Sequence, residues 1–250
     1  MKIAVCVSHV PDTATKIKIG SAEKIIDPAG VTYIINPYDE FAVEEALKLK
    51  EKFGGDSEVT AVSVGNDANK ETIRKALAMG VDKGILLKTD VETDSYFVAS
   101  ALSGELKSGG YDLILFGKQS VDFDNSITGQ LTAEMLGYNC ISVVVLLNID
   151  GNKITAEREI EGGREVISTE LPAVITAQKG LNEPRYASLK GIMAAKKKVI
   201  EEKVLTDIQN KTEILKLRLP SPKNPGRIIG TDKSAVPELV RLLREEAKVI

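Results

Sequence analysis

The residues with the most chemical promise lie in one stretch, Gly117-Lys118-Gln119-Ser120-Val121-Asp122-Phe123-Asp124-Asn125-Ser126-Ile127-Thr128-Gly129-Gln130. It joins a strand-like run, 112–116, to a helix-like run, 126–136, that Gly137 closes. Small and hydroxyl residues fall where that helix would begin. The first N–H groups of a helix have no partner within it, and the positive end of its dipole faces outward. Such an end can hold a phosphate, with Ser126 and Thr128 adding hydroxyl donors. Ordinary capping by Asn125 or Ser126 accounts for the same residue types. The carboxyl end of a strand is also where open α/β sheets bind ligands.

Other chemistries lose support on inspection. A P-loop needs a Gly five residues before its Gly-Lys and a Ser or Thr after it; here position 112 is Asp and position 119 is Gln. Ser108-Gly109-Gly110-Tyr111-Asp112 precedes a strand, whereas the Gly-rich loop of ATP pyrophosphatases follows one, so it reads as a turn. Neither G-x-G-x-x-G after the first strand nor G-x-S-x-G occurs. One His (His9) and two Cys (Cys6, Cys140) allow at most three such ligands, too few for the usual structural zinc site. His9, just past the first strand, reads as a surface residue before a catalyst.

Alternating strand and helix signals must position the loop. Residues 3–7 form an apolar run, as in a strand buried on both faces. Asn36-Pro37 opens a helix through about residue 53, with Asn36 as its cap. Residues 59–64 are a strand; Asn66 or Asp67 caps a helix through Met79; 84–87 is a strand, about 93–106 a helix and 141–147 a strand. This alternation predicts a doubly wound, mostly parallel α/β sheet. Asp150-Gly151-Asn152 and Glu161-Gly162-Gly163 mark turns of an antiparallel extension over 150–171, and 172–177 is a last apolar strand. A loop, 178–188, leads to a short helix, 189–198, whose Leu189, Ile192 and Met193 suit either core or a docking surface. Beyond residue 206 core periodicity fades. A Pro-rich linker, 219–226, precedes a final helix, 234–248, and this tail reads as an arm around a partner or a partly ordered end.

Composition narrows the class. The 250 residues are 43% hydrophobic, enough for a real core. Lys+Arg number 33 against 36 Asp+Glu, and aromatics are 4%, which argues against a nucleic-acid partner. No stretch approaches the ~18–20 apolar residues of a membrane helix. Distant cysteines and the absence of a visible export signal lead us to expect a cytoplasmic protein that does not insert into a membrane.

Taken together, the segments resemble the β subunit of electron transfer flavoprotein over about residues 1–205. The most specific stretches are Leu171-Pro172-Ala173-Val174-Ile175-Thr176 and Leu181-Asn182-Glu183-Pro184-Arg185-Tyr186-Ala187-Ser188-Leu189. Ile192-Met193, Ala195-Lys196-Lys197-Lys198, Asn36-Pro37-Tyr38, Gly117-Lys118-Gln119 and Thr128-Gly129-Gln130 support them. The resemblance implies an adenine-nucleotide-binding fold over 1–205 and an arm, 206–250, that packs on an α subunit in a heterodimer. It implies FAD in the α subunit and a structural AMP here, near Cys6, Asn36, Val64, Gly117, Asp122, Asn125, Ser126, Ile127 and Thr128. Thr13 and Tyr38 would border the FAD of the partner subunit; relatives often carry an aromatic at the first. The recognition loop, 185–197, would dock acyl-CoA or other flavin dehydrogenases through Arg185, Tyr186, Leu189, Ile192, Met193 and Lys197. Electrons would pass on to a membrane quinone oxidoreductase, with no catalytic residue in this chain. Ser8 stands where relatives often carry Lys. Electron-bifurcating relatives hold a second FAD in place of AMP and usually show Asp-Gly-Asp-Thr in the loop. Here Asp122-Phe123-Asp124-Asn125 puts a Phe where they have Gly, which favours AMP. A bifurcating subunit and a stand-alone adenine-nucleotide-binding protein are the alternatives.

Overall fold

The structure is a computed structural model that describes residues 1–223 and 225–250. Strand β1 (Lys2–Cys6) leads through a short ribbon, β2 (His9–Pro11) and β3 (Tyr33–Ile35), into α1 (Pro37–Phe53). Then follow β4 (Glu58–Gly65), α2 (Asn69–Met79), β5 (Lys83–Lys88), α3 (Ser95–Gly109), β6 (Leu113–Gly117) and α4 (Thr128–Leu136). The chain continues as β7 (Asn139–Asp150), β8 (Lys153–Ile160), β9 (Gly163–Glu170), β10 (Ala173–Ala177), α5 (Leu189–Lys197) and β11 (Ile200–Val204). A 3₁₀ turn, Lys233–Ala235, and α6 (Val236–Glu245) end it.

Among the described residues, nine strands form one sheet in the order β11-β5-β4-β1-β6-β10-β7-β8-β9. Pairing is parallel from β11 to β7 and antiparallel from β7 to β9. The doubly wound α/β fold with an antiparallel extension is therefore borne out. Period-two alternation divides the core between the two faces. Ile3 and Val5 of β1 join Ala42, Val43 and Ala46 of α1 and Ile73 of α2 on one face. Ala4 and Cys6 join Leu102 and Leu106 of α3 and Ala133 of α4 on the other. Helix α5 packs on α2.

Four local readings change. Residues 9–11 and 33–35 pair as an antiparallel ribbon where the sequence suggested only a loop. There His9 is half-buried, stacked on Tyr33 with ring centroids 4.8 Å apart, and its Nδ1 lies 2.8 Å from Thr72 Oγ1. Strand β11 follows the strand expected to be last, pairing in parallel with β5. Its charged core, Glu201-Glu202-Lys203, hid it, yet an edge strand carries charge because one side faces water. Helix α2 begins at Asn69, after a turn in which Asn66 Oδ1 accepts from Ala68 N at 2.9 Å. Helix α4 begins at Thr128, two residues past the expected start.

The tail stays tied to the body before it reaches α6. Asp94, the N-cap of α3, also accepts from the backbone N–H groups of Lys211 (2.6 Å) and Thr212 (2.7 Å). Leu217 N donates to Glu23 O at 2.6 Å. Beyond it the expected linker is irregular, and its Asn224 lies outside the described residues. Leu215, Leu219, Ile228 and Leu239 are exposed. No helix of the described residues is long and apolar enough to cross a membrane.

Gly84 marks a tight seat of α2 on this sheet. A Cβ there would collide with Ile73 Cγ2 of α2 and meet Ile200 Cγ1 of β11 at 3.7 Å. Gly84→Val should therefore push α2 outward and cost about 1–3 kcal/mol, as overpacking does. Urea unfolding checks this; unchanged stability would show that α2 moves freely on β5.

Candidate nucleotide crevice and docking loop

The strand order reverses between β1 and β6, because β4 and β5 continue the sheet on one side and β10 and β7 on the other. A crevice forms at such a switch point, outside the carboxyl ends of the strands. Here one buried carboxylate, Asp39 in the first turn of α1, joins the two ends. Its Oδ2 accepts from Ser8 N at 2.7 Å, and its Oδ1 accepts from Gly117 N at 3.1 Å and Asn36 Nδ2 at 2.8 Å. Gly117 is required for this approach, since a Cβ would strike Asp39 Oδ1 and the backbone of Tyr38. Burial disfavours the charged form and outweighs the hydrogen bonds that favour it, so the Asp39 pKa is pushed up to about 7. Burial, and then the charge of Asp39, raise the thiol of Cys6 well above its usual range, which makes it inert.

Asn36 stands at the N-cap of α1 but does not cap it. Its Nδ2 also donates to Gln119 O at 2.8 Å, and its Oδ1 accepts from Val121 N at 3.2 Å. The amide is spent on the loop after β6, a better use than a cap because it fixes a segment 83 residues away. Gln119 continues the chain of contacts, as Ser126 Oγ donates to its Oε1 at 3.0 Å. Asn125 Nδ2 donates to Ser95 Oγ at 3.0 Å, tying the loop to α3. Capping by Asn125 or Ser126 is thus not what the chain does. Ile127 is the N-cap residue and makes no side-chain cap bond, so the first N–H groups of α4, on Thr128, Gly129 and Gln130, are left uncapped by it. Gly129 lets this end sit on the sheet: a Cβ there would lie 2.7 Å from Thr176 Cγ2. Gln130 Oε1 is buried with no hydrogen-bond partner among the described residues.

The remaining expected positions spread around this centre. Val64 is half-buried at the carboxyl end of β4, whose turn is fixed by Asn69 Nδ2 donating to Val64 O at 3.0 Å. Asp122 is exposed and accepts from Phe123 N at 2.8 Å. Thr13 is exposed in the segment after β2. Tyr38 is half-buried with Lys118 Nζ 5.4 Å from its ring centroid, a cation–π contact. Sequence reasoning missed Asp39, Gln119 and Gln130 as contributors. An Asp three residues after Asn-Pro is also a common first-turn residue, so its type alone carried no signal.

A second cluster lies along α1. Arg185 Nε donates to Glu44 Oε2 at 2.8 Å and Nη2 to Glu44 Oε1 at 2.9 Å, while Nη1 and Nη2 also reach Glu51. Asn182 Nδ2 donates to Phe41 O at 3.0 Å and Glu45 Oε2 at 2.9 Å. Burial raises the Glu45 pKa, whereas the hydrogen bond from Arg185 lowers that of Glu51. Past this loop Ser188 caps α5, its Oγ accepting from Gly191 N at 3.0 Å. Leu189 is 83% exposed and Tyr186 98%. Ile192, Met193 and Lys197 are exposed as well, so of the two readings of Leu189, Ile192 and Met193 the core one does not hold, and the two apolar neighbours do not pin Leu189 to the body. Ala195 does, buried against the core cluster. Arg74 Nη1 adds bonds to Ala195 O at 2.6 Å and Lys198 O at 2.9 Å.

The raised pKa of Asp39 makes a testable pH dependence. The folded state holds this proton up to about pH 7, whereas the ordinary value is 3.8. The stabilisation from the bound proton is fully present below the unfolded pKa and is lost as pH rises through the folded one. Asp39→Asn removes the titration. Wild-type stability relative to this variant should fall on the order of 3 kcal/mol between about pH 4 and 7, at ~1.4 kcal/mol per unit, and then level off. Urea unfolding of both proteins across pH checks it; a difference that grows with pH would contradict the burial effect.

Comparison with known proteins fits this geometry. A family model described as electron transfer flavoprotein domain matches residues 24–208. The electron transfer flavoprotein subunit beta of Bacillus subtilis (strain 168) is 41% identical over 261 residues, covering 100% of both chains. That of Bradyrhizobium diazoefficiens is 39% identical over 254 residues, again covering 100% of both. That of Sus scrofa is 38% identical over 257 residues, covering 100% of this chain and 99% of the relative. With its family-model match and these full-length relatives, the chain belongs to the electron transfer flavoprotein family, as a β subunit.

Proposed function

We propose that this β subunit binds AMP structurally, pairs with an α subunit that carries FAD, and docks dehydrogenases whose electrons pass to a membrane quinone oxidoreductase. The observation that carries the nucleotide reading is the uncapped first turn of α4 beside the partnerless, buried Gln130 Oε1. Open N–H groups suit a phosphate. An orphaned buried acceptor suits a ligand hydroxyl or amino group, since leaving it unmet costs about 1–3 kcal/mol. Both needs are met by AMP. Its phosphate would take the N–H groups of residues 128–130 with the hydroxyls of Ser126 and Thr128. Cys6, Asn36, Val64 and Gly117 would border the rest, and Asp122, Asn125 and Ile127 the loop side.

FAD held by the α subunit supplies the redox chemistry; this chain contributes walls, assembly and docking. Thr13 and Tyr38 would border that flavin. The exposed apolar residues of the tail, 206–250, would pack on the α subunit. Leu189 would enter a pocket of the dehydrogenase, flanked by Tyr186, Ile192, Met193 and Lys197.

Co-expression with an α subunit tests the assembly: the heterodimer should be yellow and release one AMP and one FAD. Two FAD per heterodimer would instead favour the bifurcating type. Thr128→Glu sets a like charge against the phosphate, so AMP occupancy should drop at least about tenfold, a change of ~1.4 kcal/mol, while the flavin spectrum stays. Unchanged AMP content would remove Thr128 from the site.

Leu189→Ala removes an exposed anchor, a change that typically costs ~2 kcal/mol or more of binding. Reduction by the dehydrogenase at subsaturating concentration should slow about tenfold or more, with thermal midpoint and AMP content near wild type. A lowered midpoint with an unchanged rate per folded heterodimer would make Leu189 a core residue.

A further inference from the structure

We propose that Arg185 serves docking as a positioning residue: it latches the loop 182–188 to α1 through Glu44 and Glu51 and so fixes where Leu189 stands. This rests on the docking reading of Leu189. Four of the five guanidinium N–H groups are already given to α1, because Nε and Nη1 each donate to one of its glutamates and Nη2 to both. Its own backbone N–H donates to Glu44 Oε2 at 3.1 Å, so main chain and side chain are gripped by the same carboxylate. Glu44 is buried, and the two glutamates stand seven positions apart, about two helical turns, so one fork spans both on the same face. Asn182 adds a second hold on α1 three residues earlier, on Phe41 O and Glu45.

The far end of α5 is fixed independently. There Arg74 holds Ala195 O and Lys198 O, and Lys198 Nζ donates to Val81 O at 2.6 Å; in the first turn, Gly191 lies so close to Ala78 O that a Cβ would collide with it. Between these two anchorages Leu189 projects into solvent. A side chain held in its bound position before contact loses less freedom on binding, which raises affinity without adding a contact. Lysine, a point charge, cannot reproduce the fork.

The test uses the heterodimer and the acyl-CoA dehydrogenase that reduces its wild-type form. Removing Arg185 alone would strand the buried Glu44, so both are replaced: Arg185→Met with Glu44→Leu. Apolar replacement of a buried pair is often neutral for stability. The expected result is a KM for the heterodimer raised about tenfold, kcat unchanged, and faster amide hydrogen exchange over 186–193 but not over α1. Adding Leu189→Ala to this variant should raise KM far less than it does in the wild type, because both changes act through one anchor. Full additivity would mean that Arg185 touches the dehydrogenase itself and would overturn the proposal. So would an unchanged KM in the latch variant while Leu189→Ala alone raises it. If Leu189→Ala has no effect, the docking reading fails instead, and unchanged exchange over 186–193 would then sink the latch as well. Should the double variant not assemble, Arg185→Lys is expected to raise KM alone by about threefold, and a KM at the wild-type value would overturn the latch.

Discussion

Everything at the carboxyl edge of the sheet depends on one buried carboxylate. Asp39 accepts from the backbone of Ser8 after β1 and of Gly117 at the end of β6, strand ends that the topology leaves diverging. An open switch point exposes backbone N–H groups with no strand to pair them, and a buried unmet donor is costly. Asp39 meets two of them from a helix terminus whose dipole favours negative charge. The arrangement asks three things of the sequence: Gly at 117, an amide at 36, and a helix that starts at Pro37. Asn36 then passes the order outward to Gln119 and Val121, which carry the loop that presents the first turn of α4.

The sheet was legible because its signals are local. Residues buried on both faces read as apolar runs, and Asn36-Pro37, Gly80, Gly110 and Gly137 punctuate the helices. Strand β11 was not legible, since an edge strand keeps its charges: Lys203 pairs with Glu105 at 2.8 Å and Glu202 with Lys70 at 2.8 Å. The ribbon β2–β3 was missed because its two three-residue strands lie far apart in sequence and pair only in three dimensions. At the site, the segment that carries the α4 terminus was visible as a cluster of small and hydroxyl residues. The use of those residues was not. Asn36, Asn125 and Ser126 have the side chains of caps, yet the two amides bond to other segments and Ser126 bonds to Gln119 of its own loop.

The loop before α5 shows the same limit from the other side. Leu189 looked like a knob from its place after a polar loop, and it is exposed. The residues that hold it were not the apolar neighbours at helical spacing. They are Ala195, a glycine pressed on a carbonyl, and Arg74, Arg185 and Lys198 bonding to carbonyls and carboxylates. A short helix of nine residues cannot bury much apolar surface, and here directional bonds at its two ends do what packing does for a longer one.

Helix α1 connects these two regions. Its first turn supplies Asp39 to the crevice, its apolar side lies on β1 and β6, and its third face carries Glu44, Glu45 and Glu51 toward the loop. A 17-residue helix is about 25 Å long at ~1.5 Å per residue, so it reaches from the strand ends at Ser8 and Gly117 to the loop 182–188. Close packing of Ala42, Val43 and Ala46 leaves it little freedom to slide. Both regions are thus referenced to one rigid rod. The tail differs: it is held at Asp94 and Glu23, and beyond these Leu219, Ile228 and Leu239 stay exposed. Directional bonds to a rigid helix thus fix the loop that leads to the exposed Leu189, whereas the tail keeps uncovered apolar surface at those three positions.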